Sequence, residues 1–386
     1  MAIERIYLDH LATTPLLAAA REAMLPFLQE EFGLPMGLYR EGARAGRAVA
    51  RAREQLAAMI GAKRVDEIIF TSNGSEACNL ALKGLAFKHA NGGKRHIVSS
   101  LAEHPAVAES LKFLEKLGWK ISRVGVDVAG FVDPAEIGKV LRPDTLLVAT
   151  HLSNHDSGAV QSVKEIARLA HANGSLVFCD AMTAGGWLAV SVGDLDVDLL
   201  SLSPHRFFGP KGVGVLYKRS LLALESLIHG GKQEDGQRAG SLNVAAIVGA
   251  GVAAEQIGGA MADYAAKCRA LTKILWENIE AKVPQVKLNG PPVGANRDPR
   301  HLNVSFEGIE GEALMLWLDL NGISVAANTG CATQTSKLSP TLMAMGLSSS
   351  LAAGSILLSP SPEQTPGEMV LAAEKIAKGV AKIRSL

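Results

Sequence analysis

Short apolar runs and helix-length periodic stretches alternate through the first two thirds of the chain. Glu67-Ile-Ile-Phe-Thr, His96-Ile-Val-Ser-Ser, Thr145-Leu-Leu-Val-Ala-Thr, Leu176-Val-Phe-Cys and Leu199-Leu-Ser-Leu-Ser are each apolar at successive positions. A strand that is apolar on both faces must be covered on both, so the alternation predicts a mostly parallel sheet with helices on either side. The pattern changes at about residue 245. Ala246 to Lys282 predicts one or two long Ala-rich helices, and Leu302-Asn-Val-Ser-Phe, Ile323-Ser-Val and a closing helix from Met369 to Ile383 predict a smaller α+β unit. The Pro-containing stretch from Asn289 to Pro299 predicts a surface loop. The fold class is therefore α/β, with a large domain over 15–245 and a small domain made from 1–14 and 246–386.

Composition narrows the function classes. A chain of 386 residues exceeds what one core usually holds, about 250 to 300 residues. Charged residues make up 20% and the net charge is +1, so no global field draws the chain to nucleic acid or to an anionic membrane. Neither a secretory start nor an uninterrupted apolar run of about 20 residues is present, which makes a cytoplasmic protein the expectation. The cysteines have no C-x-x-C spacing, so neither a zinc site nor a disulfide framework is implied. Cys78, Cys179 and Cys268 lie in apolar runs and are expected to be buried. Cys331, in the polar run Asn328-Thr-Gly-Cys-Ala-Thr-Gln-Thr-Ser, is expected on a loop with a reachable thiol.

Three places carry candidate chemistry. Ser72-Asn-Gly-Ser-Glu-Ala follows a strand and opens a helix, which exposes backbone N–H groups suited to a phosphate, or else Ser75 and Glu76 only cap that helix. Asp180, at the C-terminal end of a buried strand, either pairs with a protonated ring nitrogen or caps the next turn. His104, just past the His96 strand, is a neutral imidazole able to stack on a planar ring or carry a proton, or a structural turn residue.

Taken with further stretches, these residues resemble the cysteine desulfurases of the NifS/IscS type, which have the class V aminotransferase fold (fold type I, pyridoxal-phosphate-dependent transferase-like). The resemblance rests on Ile6-Tyr-Leu-Asp-His-Leu-Ala-Thr-Thr-Pro15, Glu67 to Glu76, Ala102-Glu-His-Pro-Ala106, Asn154-His-Asp-Ser-Gly158 with Gln161, Cys179-Asp-Ala181, Asp198 to Gly214, and Gly230 to Asn243. It implies a phosphate cup of Gly74, Ser75, Ser203 and His205, with Ser241 reaching across from the second subunit of a homodimer. It also implies that His104 stacks on the coenzyme ring, that Asp180 holds its nitrogen, and that Cys331 falls on the loop carrying the family's nucleophilic thiol.

The reacting positions depart from the family together. Arg206 stands where the Schiff-base lysine is expected, and a guanidinium neither condenses with an aldehyde nor shuttles protons at accessible pH. Leu357 stands where an arginine clamps the substrate carboxylate. His155 replaces an asparagine at that carboxylate, Thr183 a glutamine near the ring hydroxyl, and Leu34 and Met36 a polar stretch at the mouth. Lys211 belongs to the family pattern alongside the missing lysine and so does not replace it. The expectation is a desulfurase-family protein of sulfur transfer or iron–sulfur cluster assembly whose own desulfuration is absent or strongly reduced. Cys331 is then a persulfide carrier or an iron ligand, and an iron–sulfur scaffold or a sulfur-acceptor protein is the partner. Two alternatives stand beside it: an enzyme holding pyridoxal phosphate noncovalently for another substrate, and a non-catalytic docking protein.

Overall fold

The computed structural model describes residues 5–327 and 338–385. Its main sheet has seven strands in the order Ile68–Thr71, Gly214–Lys218, Leu199–Leu202, Leu176–Asp180, Thr145–His151, His96–Ser100 and Lys120–Val124. All neighbours run parallel except Gly214–Lys218, which is antiparallel to both of its partners. The five strands anticipated from apolar runs are all present. Lys120–Val124 escapes the pattern because it is an edge strand with an exposed lysine at its start, so only part of it needs to be apolar.

Alternation along the strands explains why both faces are covered. Val177 and Cys179 pack in one buried cluster with Leu56 of the Arg40–Ile60 helix and Ile166 of Val163–Ala172, while Phe178 lies in another with Leu82 and Leu111. A second, antiparallel sheet runs Ala326–Ala327, Ser355–Leu358, Leu302–Phe306, Val286–Asn289. Its core contains Leu314 of Gly311–Leu320, Met369 and Ile376 of Pro366–Arg384, and Leu271 and Leu275 of one continuous helix, Val244–Lys282. That helix has the length and apolarity to cross a membrane, yet more than half of its most apolar window is buried within the protein. Ile6–Tyr7 pairs with Ile323–Ser324, which ties the N-terminal segment to this second unit.

One expectation is overturned. The stretch from Asn289 to Pro299 is not a surface loop throughout: Asn289 closes a strand, and Arg297 and Asp298 are buried, as is Arg300 just beyond. Their polar groups find partners inside the fold, Asp298 beside Arg300 and the Arg297 guanidinium on backbone carbonyls, and a residue count of polar side chains carries no sign of that. Cys78, Cys179 and Cys268 are buried as anticipated. Cys331 lies outside the described residues.

Candidate functional site

Parallel strands place their C-terminal ends, and the loops that follow, along one edge of the sheet. Asp180 is the last residue of its strand and is buried. Its Oδ1 accepts from Met182 N–H at 2.9 Å and from Ser201 Oγ at 3.2 Å, so the carboxylate does shape the next turn. Burial raises its pKa, an effect partly offset by the Met182 N–H and the nearby Arg206 guanidinium. On the neighbouring strand, His151 is its register partner, and His151 Nδ1 donates to Glu103 Oε1 at 3.0 Å. Sequence reasoning missed this buried pair because neither residue falls on a periodic face.

His104 caps the Pro105–Lys116 helix, its Nδ1 accepting from Ala106 N–H at 3.1 Å, and its ring meets that of His155 edge-on at 5.1 Å. His155 in turn has its carbonyl bonded by His301 Nε2 at 3.1 Å. Gly158, at φ +70°, lets the turn close there, since a Cβ would strike the His301 ring. Burial first, then the nearby histidines and Arg206, hold the His104 pKa well below the ordinary value. Burial, with Arg206 and Lys211, pushes His205 down to about 4, and burial pushes His10 to about 4 as well. The expected result is that none of the three titrates between about pH 5 and 8 in a histidine NMR series, where a free imidazole has its midpoint near 6.5. A depressed folded pKa means that the unfolded chain binds the proton more readily. For His205 and His10 the contribution to stability is thus intact above about pH 6.5 and lost as the pH falls through about 4, and the contribution of His104 is lost in the same direction.

Arg206 ends the Pro204–Arg206 turn, and its Nη1 donates to Thr183 Oγ1 at 3.1 Å. Its backbone is fixed from two sides: Trp187 Nε1 donates to the Arg206 carbonyl at 2.8 Å and Arg300 Nη1 at 3.1 Å. Arg300 also donates to the carbonyls of Thr183 at 2.7 Å and His10 at 2.9 Å, and its guanidinium lies 4.3 Å above the Trp187 ring. This fully buried arginine, just beyond the overturned loop, is the structural hub that sequence reasoning did not find. Asp9, with its pKa raised to about 6 by burial and eased down by Arg206, completes the charged groups around position 206.

Asp180, His104, His155, Thr183, His205 and Arg206 are thus brought to one place. Gly74 joins them: a Cβ there would come within 3.2 Å of Ser203 Cβ and run into Met182 Sδ, so the helix start approaches the Asp180 turn as only glycine allows. The helix cap is Asn73, whose side chain accepts from Glu76 N–H at 2.8 Å, and not Ser75, which is exposed. Ser203 is buried, whereas Ser241, Lys211, Leu34 and Met36 are exposed. Leu357 is buried against Leu11 and Ala326.

Residues 6–357 match the Aminotransferase class-V family. Over 99% of its length the chain is 40% identical to the cysteine desulfurase IscS of Dictyoglomus turgidum, covering 96% of that protein. It is 38% identical over its full length to a cysteine desulfurase of Cereibacter sphaeroides, 98% of which is covered. Among solved structures, a NifS-like protein superposes with a TM-score of 0.91 at 33% identity, over 98% of this chain and 100% of that one. SspA in complex with cysteine superposes with a TM-score of 0.81 at 31% identity, over 93% of this chain and all of the other.

Proposed function

The chain belongs to the class-V aminotransferase family and, within it, to the cysteine desulfurases, and we propose that it serves sulfur transfer or iron–sulfur cluster assembly without an efficient desulfurase activity of its own. The supporting observation is the surroundings of Arg206. Its backbone is clamped by Trp187 and Arg300 and its guanidinium is bonded to Thr183, so the residue at the anchoring position is a fixed cation with no amine to offer.

The rest of the site suits pyridoxal phosphate. Asp180 is a buried acceptor for a protonated ring nitrogen, His104 is a neutral ring with its Nδ1 already spent on Ala106, and Thr183 supplies a hydroxyl. Gly74, Ser75, Ser203 and His205 would hold the phosphate, and Ser241, exposed on one chain, would complete that cup in a homodimer. When bound, the coenzyme supplies an electron sink. The anchoring position does not fit its aldehyde, so no step of desulfuration proceeds from there. With such a ring bound, Asp180 would orient and charge it, His104 and His155 would wall it, and Arg206 would keep a positive charge beside it.

Cys331 carries the sulfur-handling part of the proposal. A thiolate accepts sulfur from a persulfide donor, or ligates iron with a docked scaffold protein, without coenzyme chemistry. The test is sulfur uptake: incubated with a persulfide donor, the native chain gains 32 Da at Cys331 and passes it to an acceptor, while Cys331→Ser does neither. Equal transfer by the serine variant would refute a carrier role for Cys331, and partner binding and cluster yield unchanged in that variant would favour a docking protein.

A further inference from the structure

Leu357 belongs to a built wall. Along Ser355–Leu358, Ile356 and Leu358 lie in the core of the second unit, so Leu357 faces the other way, where it packs with Leu11 and Ala326 in a separate buried cluster. Ala326 stands directly opposite Leu357 in the antiparallel ladder. Leu11 is strapped to the same strand: its N–H donates to Ser359 Oγ at 2.8 Å, and Ser359 N–H donates to the Leu8 carbonyl at 2.7 Å. The strap adjoins the site, because Arg300 Nη1 holds the carbonyls of both His10 and Arg206.

We infer that Leu11 and Leu357 are a specificity-determining pair that closes the carboxylate end of the site, so that the site takes an amine or thiol whose corresponding end is uncharged. This rests on the reading that Leu357 occupies the position of a carboxylate clamp. A carboxylate brought to the wall would lose water and meet hydrocarbon from three residues, and His155, the polar side chain expected at that end, has its ring against His104 and its Nε2 3.5 Å from Asp156 Oδ2. The terminal nitrogens of Arg300 and the Nδ1 of His10 are committed elsewhere. The Arg300 fork is shared among three carbonyls, and His10 Nδ1 donates to the Ser359 carbonyl at 2.9 Å. Leu11 therefore matters as much as Leu357: a cation introduced at 357 alone would lie buried against a strapped leucine that cannot withdraw.

A double-mutant cycle tests this on the full-length protein with Leu11→Ala, Leu357→Arg and their combination. Leu357→Arg alone is expected to lower the thermal midpoint by several degrees and to gain no affinity for L-cysteine. Adding Leu11→Ala recovers at least half of that loss and tightens L-cysteine binding about tenfold, the size of one modest charge-assisted contact. Binding is followed by ligand-detected NMR with L-cysteine and cysteamine, which differ only in the carboxylate, and the native chain is expected to favour cysteamine. Strictly additive midpoints, or full L-cysteine binding by Leu357→Arg alone, would overturn the pairing; so would a native preference for L-cysteine. Where Leu357→Arg does not fold, Leu357→Gln takes its place in the same cycle. An error in the reading of Arg206 would appear as covalently retained coenzyme, which the midpoints do not report.

Discussion

Mixed with pyridoxal phosphate and reduced with borohydride, the native chain is expected to retain its unmodified mass, and its release of sulfide from L-cysteine is expected at background. Two losses combine in that result. A positioned acid/base group alone is worth about 10²- to 10⁴-fold in rate, and an amine that anchors the coenzyme also supplies that group. On the proposed reading of Leu357, no bidentate contact would hold the carboxylate of cysteine in register, where small misplacements cost further orders of magnitude. Arg206→Lys alone should restore the borohydride adduct but little turnover, since substrate still meets the Leu11, Ala326 and Leu357 wall. Arg206→Lys combined with both Leu357→Arg and Leu11→Ala should raise turnover at least a hundredfold over the native chain, whereas Arg206→Lys with Leu357→Arg alone should gain little, because the new cation stays pressed against Leu11. Brisk native turnover, or an adduct on any native lysine such as the exposed Lys211, would refute the account of position 206.

The fold was legible where burial acts on consecutive residues. Val177, Phe178 and Cys179 alternate between two clusters on opposite faces, and a strand buried on both sides has no polar position to hide it. The placement of Asp180 and His104 just past strand ends, on one edge of the sheet, was legible from the strand pattern, whereas the turn and helix-cap contacts each makes depend on backbone geometry that the pattern does not specify. What stayed hidden depended on pairing across long sequence distance. Arg297 and Asp298 read as a polar loop because charge predicts exposure, and it takes the carbonyls of His10, Thr183 and Arg206, with Asp298 and the Trp187 ring, to draw Arg300 inside just beyond it. The contact of Leu11 with Leu357 likewise joins residues from opposite ends of the chain, and neither stretch alone announces it.

Arg300→Met is expected to cost about 3–5 kcal/mol of stability, the range for removing one member of a buried charged pair. The substitution preserves much of the side-chain volume over Trp187 but removes three donations and leaves Asp298 without its nearest cation. Burial already raises the Asp298 pKa, and Arg300 is the first influence that lowers it, so the variant's carboxyl moves further up. An acid whose folded pKa is raised takes up its proton more readily in the folded state. Its favourable contribution is present at low pH and lost as the pH climbs through the folded pKa. The gap between native and variant should therefore be wider at about pH 8 than at about pH 5, measured by urea unfolding at both. Arg300 itself, lowered to about 10 by burial, stays charged across that window. Arg300→Lys separates charge from geometry: it keeps the cation near Asp298 and so should show a flatter pH dependence, yet an ammonium lacks the planar fork that reaches His10, Thr183 and Arg206 together. Equal gaps at both pH values in Arg300→Met would mean that Asp298 is compensated by another group, with Arg297 the nearest candidate. Because Arg300 holds the carbonyls on either side of the Arg206–Thr183 hydrogen bond, a folded Arg300→Lys protein should also bind pyridoxal phosphate more weakly. That loss would place the hub in the site's positioning as well as in the stability of the fold.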